Sequence, residues 1–211
     1  MKFDIITIFP SLFGSFVSES IVARAQKEKR IAINVHNVRD ACHDTHRTVD
    51  DKPYGGGAGM LMKIEPLVTT LKKIRRKKRS RILALTPAGK QFTQKRAVDF
   101  EKKYDQLILI CGRYEGFDAR IKHYIDEEIS IGPYVLNGGE VAAMVVVEAV
   151  MRLVPGALGN SASLSEESFG ADGLGEYPQY TRPEVFEGRR VPAVLLSGDH
   201  QKIGEWRAKK M

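Results

Sequence analysis

Three glycine-bearing loops, each following a strand-like apolar run, carry most of the residues that could do chemistry. They are Leu85-Thr86-Pro87-Ala88-Gly89, Cys111-Gly112-Arg113-Tyr114-Glu115-Gly116, and Ser130-Ile131-Gly132-Pro133-Tyr134-Val135-Leu136-Asn137-Gly138-Gly139-Glu140. Glycine lets main chain come close to a ligand where a Cβ would collide. Ile131, Tyr134 and Leu136, set between the glycines, can wall an apolar pocket. The combination suits a flat aromatic ligand with a polar edge, such as an adenine ring. It does not suit a phosphate cradle, because the G-x-x-x-x-G-K-[ST] spacing and its lysine are missing. Ligands of open α/β sheets lie outside the carboxyl ends of the strands. If the three strands are neighbours, the three loops converge on one small-molecule site.

Alternating strands and helices must position these loops, and the sequence supplies them. Strands are predicted over residues 3–9, 31–38, 81–85, 106–111 and 128–131. Helices are predicted over 11–28, 64–77, 92–103, 117–124 and 140–153, the last stopped by Pro155-Gly156. Such alternation indicates an α/β fold with a mostly parallel sheet. Residues 39–59 form a long polar loop without a period, and loops of that length are functional or disordered. After Gly156 the texture changes. The expected organisation is a first domain over 1–159, a Gly-, Ser- and acid-rich linker over 160–175, and a short second domain over 176–211.

The chain has 211 residues, 43% apolar and 28% charged, with a net charge of +7. That is ordinary for a globular protein, and the basic balance favours polyanionic partners. The charge is dense in Lys72-Lys73-Ile74-Arg75-Arg76-Lys77-Lys78-Arg79-Ser80-Arg81, where a solvated helix end and an RNA-steering patch both remain open. Two cysteines make no disulfide framework. The start, MKFDIITIFP, reads as a first β-strand and not a signal peptide, because Asp4 interrupts it and no cleavage site follows. A cytoplasmic location is expected. His43 and His46 could suggest a metal pair, but zinc is disfavoured and no metal site is expected.

The series HNVRDACHDTHRTVDDKPYGGGAGMLM, CGRYEGFDARI, SIGPYVLNGGE, RLVPGALG and YPQYTRPEVFEG resembles the bacterial tRNA (guanine-N1)-methyltransferase family, in order and over nearly the whole chain. The resemblance implies methylation of guanosine 37 in tRNA, just 3′ of the anticodon, with S-adenosylmethionine as methyl donor. It also implies a SPOUT-type mostly parallel sheet with a deep trefoil knot, plus a small mainly helical C-terminal domain. It implies a homodimer whose active sites are shared between subunits, and a need for Mg2+. Family members extend further past Trp206-Arg207.

Guanine N1 carries a proton and is a poor nucleophile while it does. A base must take that proton, a cation or donor must stabilise charge moving onto O6, and the donor methyl must lie in line with N1. By resemblance, Arg152 serves O6. The general base falls on Glu167, where the family carries an aspartate, with Asp172 as a second candidate. Donor binding falls on Leu85, Thr86, Pro87, Gly112, Tyr114, Glu115, Ser130, Ile131, Gly132, Tyr134, Leu136, Gly138 and Gly139. RNA contact falls on Glu115, His46, Arg47, Asp50, Tyr54 and Arg182. Ala58 stands where the family carries a proline.

Overall fold

A run such as Gln106-Leu107-Ile108-Leu109-Ile110-Cys111 has no polar face, so it must be a strand covered on both sides. In the computed structural model, which describes residues 1–158 and 177–210, all six residues of this strand are buried. Leu107, Leu109 and Cys111 join one apolar cluster and Ile108 and Ile110 the other, as the two-residue period of a strand requires. The chain divides into two compact units, Met1–Gly159 and Asn160–Met211.

The first unit is an α/β layer structure. Its strands are β1 (Lys2–Thr7), β2 (Ala32–Asn37), β5 (Ser80–Gln91), β6 (Gln106–Cys111) and β7 (Glu127–Ser130), in the order β2-β1-β6-β5-β7. Every pairing in this sheet is parallel. Two-residue strands β3 (Asp50–Asp51) and β4 (Leu61–Met62) pair antiparallel beside it. On one face lie the 3-10 turn Pro10–Phe13, α1 (Gly14–Ser18), α2 (Ser20–Lys27), α4 (Gln94–Lys103) and α5 (Glu140–Met151), with Phe13, Val22, Ala25, Ala97, Phe100, Val146 and Val150 buried from the turn, α2, α4 and α5. On the other, α3 (Ile64–Lys73) buries Leu67, Val68 and Leu71.

The predicted helix over 11–28 is broken. The 3-10 turn at Pro10–Phe13 and α1 are separated from α2 by Glu19 in extended backbone, and Ser20, the first residue of α2, sits at φ 55°. Gln26 bridges the break: its Nε2 donates to the Val17 carbonyl at 2.7 Å and its Oε1 accepts from the Ile33 amide at 3.3 Å. The predicted helix over 64–77 stops at Lys73, because Ile74 turns inward to 6% exposure and the like charges that follow leave the helix. Strand β5 runs past its expected end at residue 85. It pairs with β7 at Leu85↔Ile129 and again at Lys90↔Ile129, so its glycine loop is a bulge within a strand.

In the second unit, β8 (Val185–Phe186) and β9 (Arg189–Arg190) form a hairpin around Glu187 and Gly188, both at positive φ, as two-residue primed turns require. Short α6 (Ala193–Leu196) and α7 (His200–Ala208) follow. Asp199 caps α7 by accepting from the Lys202 amide at 3.1 Å. Among the described residues no helix is long and apolar enough to cross a membrane.

At the amino ends of the strands, Asp4 is fully buried. Burial raises its pKa, but hydrogen bonds from His36, Gln106, Lys2 and Asn34 outweigh that and hold it at about 2 against an ordinary 3.8. The folded value lies below the unfolded one, so Asp4 stabilises the fold above the ordinary value and loses that contribution as pH falls toward 2. The shift corresponds to about 2 kcal/mol. Asp4→Asn is expected to cost about that much at neutral pH. In urea unfolding across pH, the gap from the parent chain should close as acid is added below the ordinary carboxylate value.

Candidate active site

Strands β6, β5 and β7 are neighbours, and the loops at their carboxyl ends surround one cavity of about 410 Å³. Leu85, Thr86 and Pro87 come from the bulge in β5. Gly112, Tyr114 and Glu115 follow β6. Ser130, Ile131, Gly132, Tyr134, Leu136, Gly138 and Gly139 follow β7. Every residue expected to hold the donor therefore lines this cavity, together with Arg113, Asn137 and Ala142. The size is that of a small-molecule site. Its walls mix apolar side chains with the polar main chain of irregular loops, which fits an adenosyl group.

Two of the glycines also let the loops pack on one another. A Cβ on Gly139 would stand 2.8 Å from the Cα of Cys111, and one on Gly138 would meet the Arg113 side chain. These glycines let one loop pack on another, and the packed loops make the cavity. Gly139 also donates its amide to the Gly112 carbonyl at 2.8 Å. Ser130 shapes its own loop: its hydroxyl donates to the Gly132 carbonyl at 3.0 Å and accepts from the Gly132 amide at 3.2 Å. Tyr114 sits at φ 59°, a strained conformation for a bulky residue.

A buried ion pair holds the loops in register, and it was not read from the sequence. Glu140, 1% exposed at the start of α5, accepts from the Thr7 hydroxyl at 2.7 Å and from Arg113 Nε at 2.9 Å. Arg113 also reaches the Asn137 carbonyl at 3.3 Å and lies over the Phe9 ring at 4.7 Å. One carboxylate thereby ties the end of β1, the β6 loop and the β7 loop together. An acid opening a mostly apolar helix was the available signal. Cys111 is fully buried beside this pair; burial first, and the Glu140 carboxylate second, push its thiol well above the ordinary range. It is inert core.

The long loop docks on the rim. The Glu115 amide donates to the Met60 carbonyl at 2.9 Å, and Met62 bridges Phe117. Gly59, at φ 78°, lies so close to the Glu115 side chain that any Cβ there would collide with it. Asp50 pairs with Met62 in the β3–β4 ladder. Burial first, and the Asp50 carboxylate second, raise the Tyr114 phenol, so Asp50 stands beside the cavity wall. Arg47 accepts at its carbonyl from Arg39 at 3.0 Å and pairs with Asp40 at 3.6 Å. His46 and Tyr54 are exposed. Cys42 stands next to His43 in sequence, yet its Sγ turns to the Thr48 carbonyl at 3.4 Å and burial raises its pKa. Among the described residues no three His, Cys, Asp or Glu side chains are placed to hold a metal ion.

One expected residue of the first unit lies apart from the cavity. Arg152 ends α5, whereas Gly139 and Ala142 at the other end of that helix line the cavity. By helical rise, Gly139 and Arg152 are about 20 Å apart. Arg182 is exposed in the second unit. Glu167 and Asp172 lie outside the described residues.

A glycine-lined pocket at the carboxyl ends of neighbouring parallel strands defines an α/β ligand-binding domain, and the comparisons give its lineage. The family model described as tRNA (Guanine-1)-methyltransferase TrmD matches residues 1–211. The chain belongs to that family. Proteins named tRNA (guanine-N(1)-)-methyltransferase from Dictyoglomus turgidum and Carboxydothermus hydrogenoformans are each 53% identical to it, over 210 and 211 residues. One from Citrifermentans bemidjiense is 49% identical over 212 residues. All of this chain is covered in each case, and 84%, 82% and 84% of those relatives respectively.

Proposed function

We propose that the chain transfers a methyl group from S-adenosylmethionine to N1 of guanosine 37 in tRNA. The observation that carries this reading is the convergence of three loops from neighbouring strands on one cavity, in a chain of this family. S-adenosylmethionine supplies an electrophilic methyl on a sulfonium when bound. Leu85, Ile131 and Leu136 enclose its adenosyl group, and the main chain of the three loops meets the polar edge. Glu115, on the rim, accepts from the guanine amino group. Asp50, His46, Arg47 and Tyr54 meet the RNA, and Arg182 contacts it from the second unit. An anticodon loop offers the Watson–Crick edge more cheaply than a duplex.

The unit that catalyses is a homodimer. The exposed face of α5 carries Val141 at 57% and Val145 at 42% exposure, with Phe9 and Leu12 exposed on elements packed beside it. Arg152 follows at the same helical spacing (141, 145, 148, 152). Burying this stripe against a second copy would bring Arg152 of the partner subunit to a cavity that a chain's own Arg152 does not reach. The β5 bulge, paired with β7 on both sides, supports a trefoil knot, with the chain after β7 drawn through the preceding loop. The small C-terminal unit completes the RNA grip, and the enzyme works in the cytoplasm. The Mg2+ that the resemblance implies would be held with the bound substrates, since among the described residues no three His, Cys, Asp or Glu side chains cluster to hold a metal ion.

Arg152 stabilises charge developing on O6, and Glu167 takes the N1 proton, with Asp172 as the alternative. Glu167→Gln is expected to lower kcat by at least about 10²-fold, with donor affinity unchanged and Asp172→Asn far milder. Single-turnover transfer, with 1-methylguanosine identified after nuclease digestion, reads both. Methyl on a ribose, or equal rates for Glu167→Gln and the parent, contradicts the assignment.

A further inference from the structure

The end of the sheet opposite the cavity carries a charged loop that the proposed chemistry does not use. Lys72, Lys73, Arg75, Arg76, Lys77 and Lys78 are all exposed. Among the described residues none of the six has a carboxylate partner, whereas Arg79 pairs with Asp105 at 2.6 Å and Arg81 with Asp126 and Glu127 at 3.9 and 3.7 Å. Nor is the loop a loose tail. Ile74 anchors it in the core at 6% exposure. The fully buried Gln106 pins it twice, accepting from the Lys77 amide at 2.6 Å and donating to the Arg75 carbonyl at 3.2 Å. The same Gln106 is held by Asp4 at 2.7 Å. Arg76 is steered by its Nε bond to Ser80 at 3.0 Å. The N-terminal ammonium joins the patch: burial first, and Lys77 second, lower its pKa. It donates to the Arg30 carbonyl at 3.0 Å, which brings exposed Lys29 and Arg30 alongside.

Asp105 and Glu101 act on the N-terminal ammonium, and Lys77 on Asp105, but neither acid forms an ion pair with any of the six, so the fold sets like charges against one another at a cost that a polyanion offsets. We propose that residues 72–78 are a second RNA-binding surface, which grips backbone phosphates of the tRNA away from the methylated base. The proposal rests on the tRNA reading above. From Ser80 to Leu85 at the cavity, β5 rises about 17 Å, and a folded tRNA is much longer than that. One RNA can therefore engage both ends of the sheet, and the remote contact raises its effective concentration at the cavity. Phosphate contacts of this kind carry no base information.

The test is the full-length variant K72Q/R75Q/K77Q/K78Q. Its tRNA affinity is expected to fall by about tenfold or more at physiological salt, and the slope of log affinity against log salt to flatten by about 2–4. The loss should be equal for tRNA with guanosine or adenosine at position 37. S-adenosylmethionine affinity and kcat at saturating tRNA should not change. An unchanged affinity and salt slope overturns the proposal, as does a loss confined to binding of anionic lipid vesicles. If the fourfold variant no longer binds S-adenosylmethionine, K72Q/K78Q, which spares both residues pinned by Gln106, is read instead. It should flatten the slope by about 1–2, and an unchanged slope again overturns the proposal. Failure of the parent chain to methylate guanosine 37 would overturn the tRNA reading itself. Methylation by the parent with an unaffected variant would overturn only the second surface.

Discussion

Arg152→Ala is expected to lower kcat for methyl transfer by about 10³-fold while leaving S-adenosylmethionine affinity within about twofold. The first figure is the cost of removing a donor aimed at developing negative charge in a site closed to water. The second follows from position. Arg152 lies at the far end of α5 from Gly139 and Ala142 and does not line the cavity. A residue that served the pocket of its own chain would lose donor binding and turnover together. Because the guanidinium is proposed to act across the dimer, Arg152→Ala and Glu115→Ala chains should complement when mixed. A mixed dimer with one substitution on each chain retains one site intact only if that site draws its two residues from different subunits. Titrating donor binding by calorimetry and measuring single-turnover transfer on the same preparations separates the cases. Loss of donor affinity matching the loss of rate would place Arg152 in the pocket instead.

Glu140→Ala should do the reverse and act on the cavity itself. The substitution leaves Arg113 without its carboxylate and the Thr7 hydroxyl without its acceptor. Breaking a buried pair by removing one partner costs about 3–5 kcal/mol, and Arg113, 21% exposed, recovers some of that from water. A loss of about 3 kcal/mol in urea unfolding is expected. Donor affinity should fall by about 10²-fold, because the β6 and β7 loops lose their common tie to β1. Thr7→Val, which keeps the shape and removes two hydrogen bonds, one to Glu140 and one from the Phe9 amide, should cost about 2 kcal/mol. Unchanged donor affinity in a folded Glu140→Ala chain would show that the loops hold their positions without the pair.

Much of this site could be read from residue order. Glycine and proline between bulky apolar residues marked the three loops, and the uniformly apolar runs before them marked buried strands. Contacts distant in sequence could not be read. Nothing local in Thr86-Pro87-Ala88-Gly89 shows that β5 resumes at Lys90 to pair again with β7, because that pairing depends on a strand about forty residues later. The break at Glu19 and Ser20 is hidden for a similar reason: Gln26, several residues on, satisfies the freed Val17 carbonyl. Glu140 stands in the first turn of α5, and only the fold brings Thr7 and Arg113 to it. The basic run at 72–81 was visible at once, but whether it was a solvated helix end or a built surface depended on Gln106, which pins it from the next strand but one.

The measurement that bears most directly on the central claim is transfer of labelled methyl from S-adenosylmethionine to two tRNA transcripts that differ at one position. One carries guanosine just 3′ of the anticodon and the other adenosine. Label on the first alone, recovered as 1-methylguanosine, is the predicted result. Label on both, or on neither from a chain that binds the donor, would contradict it.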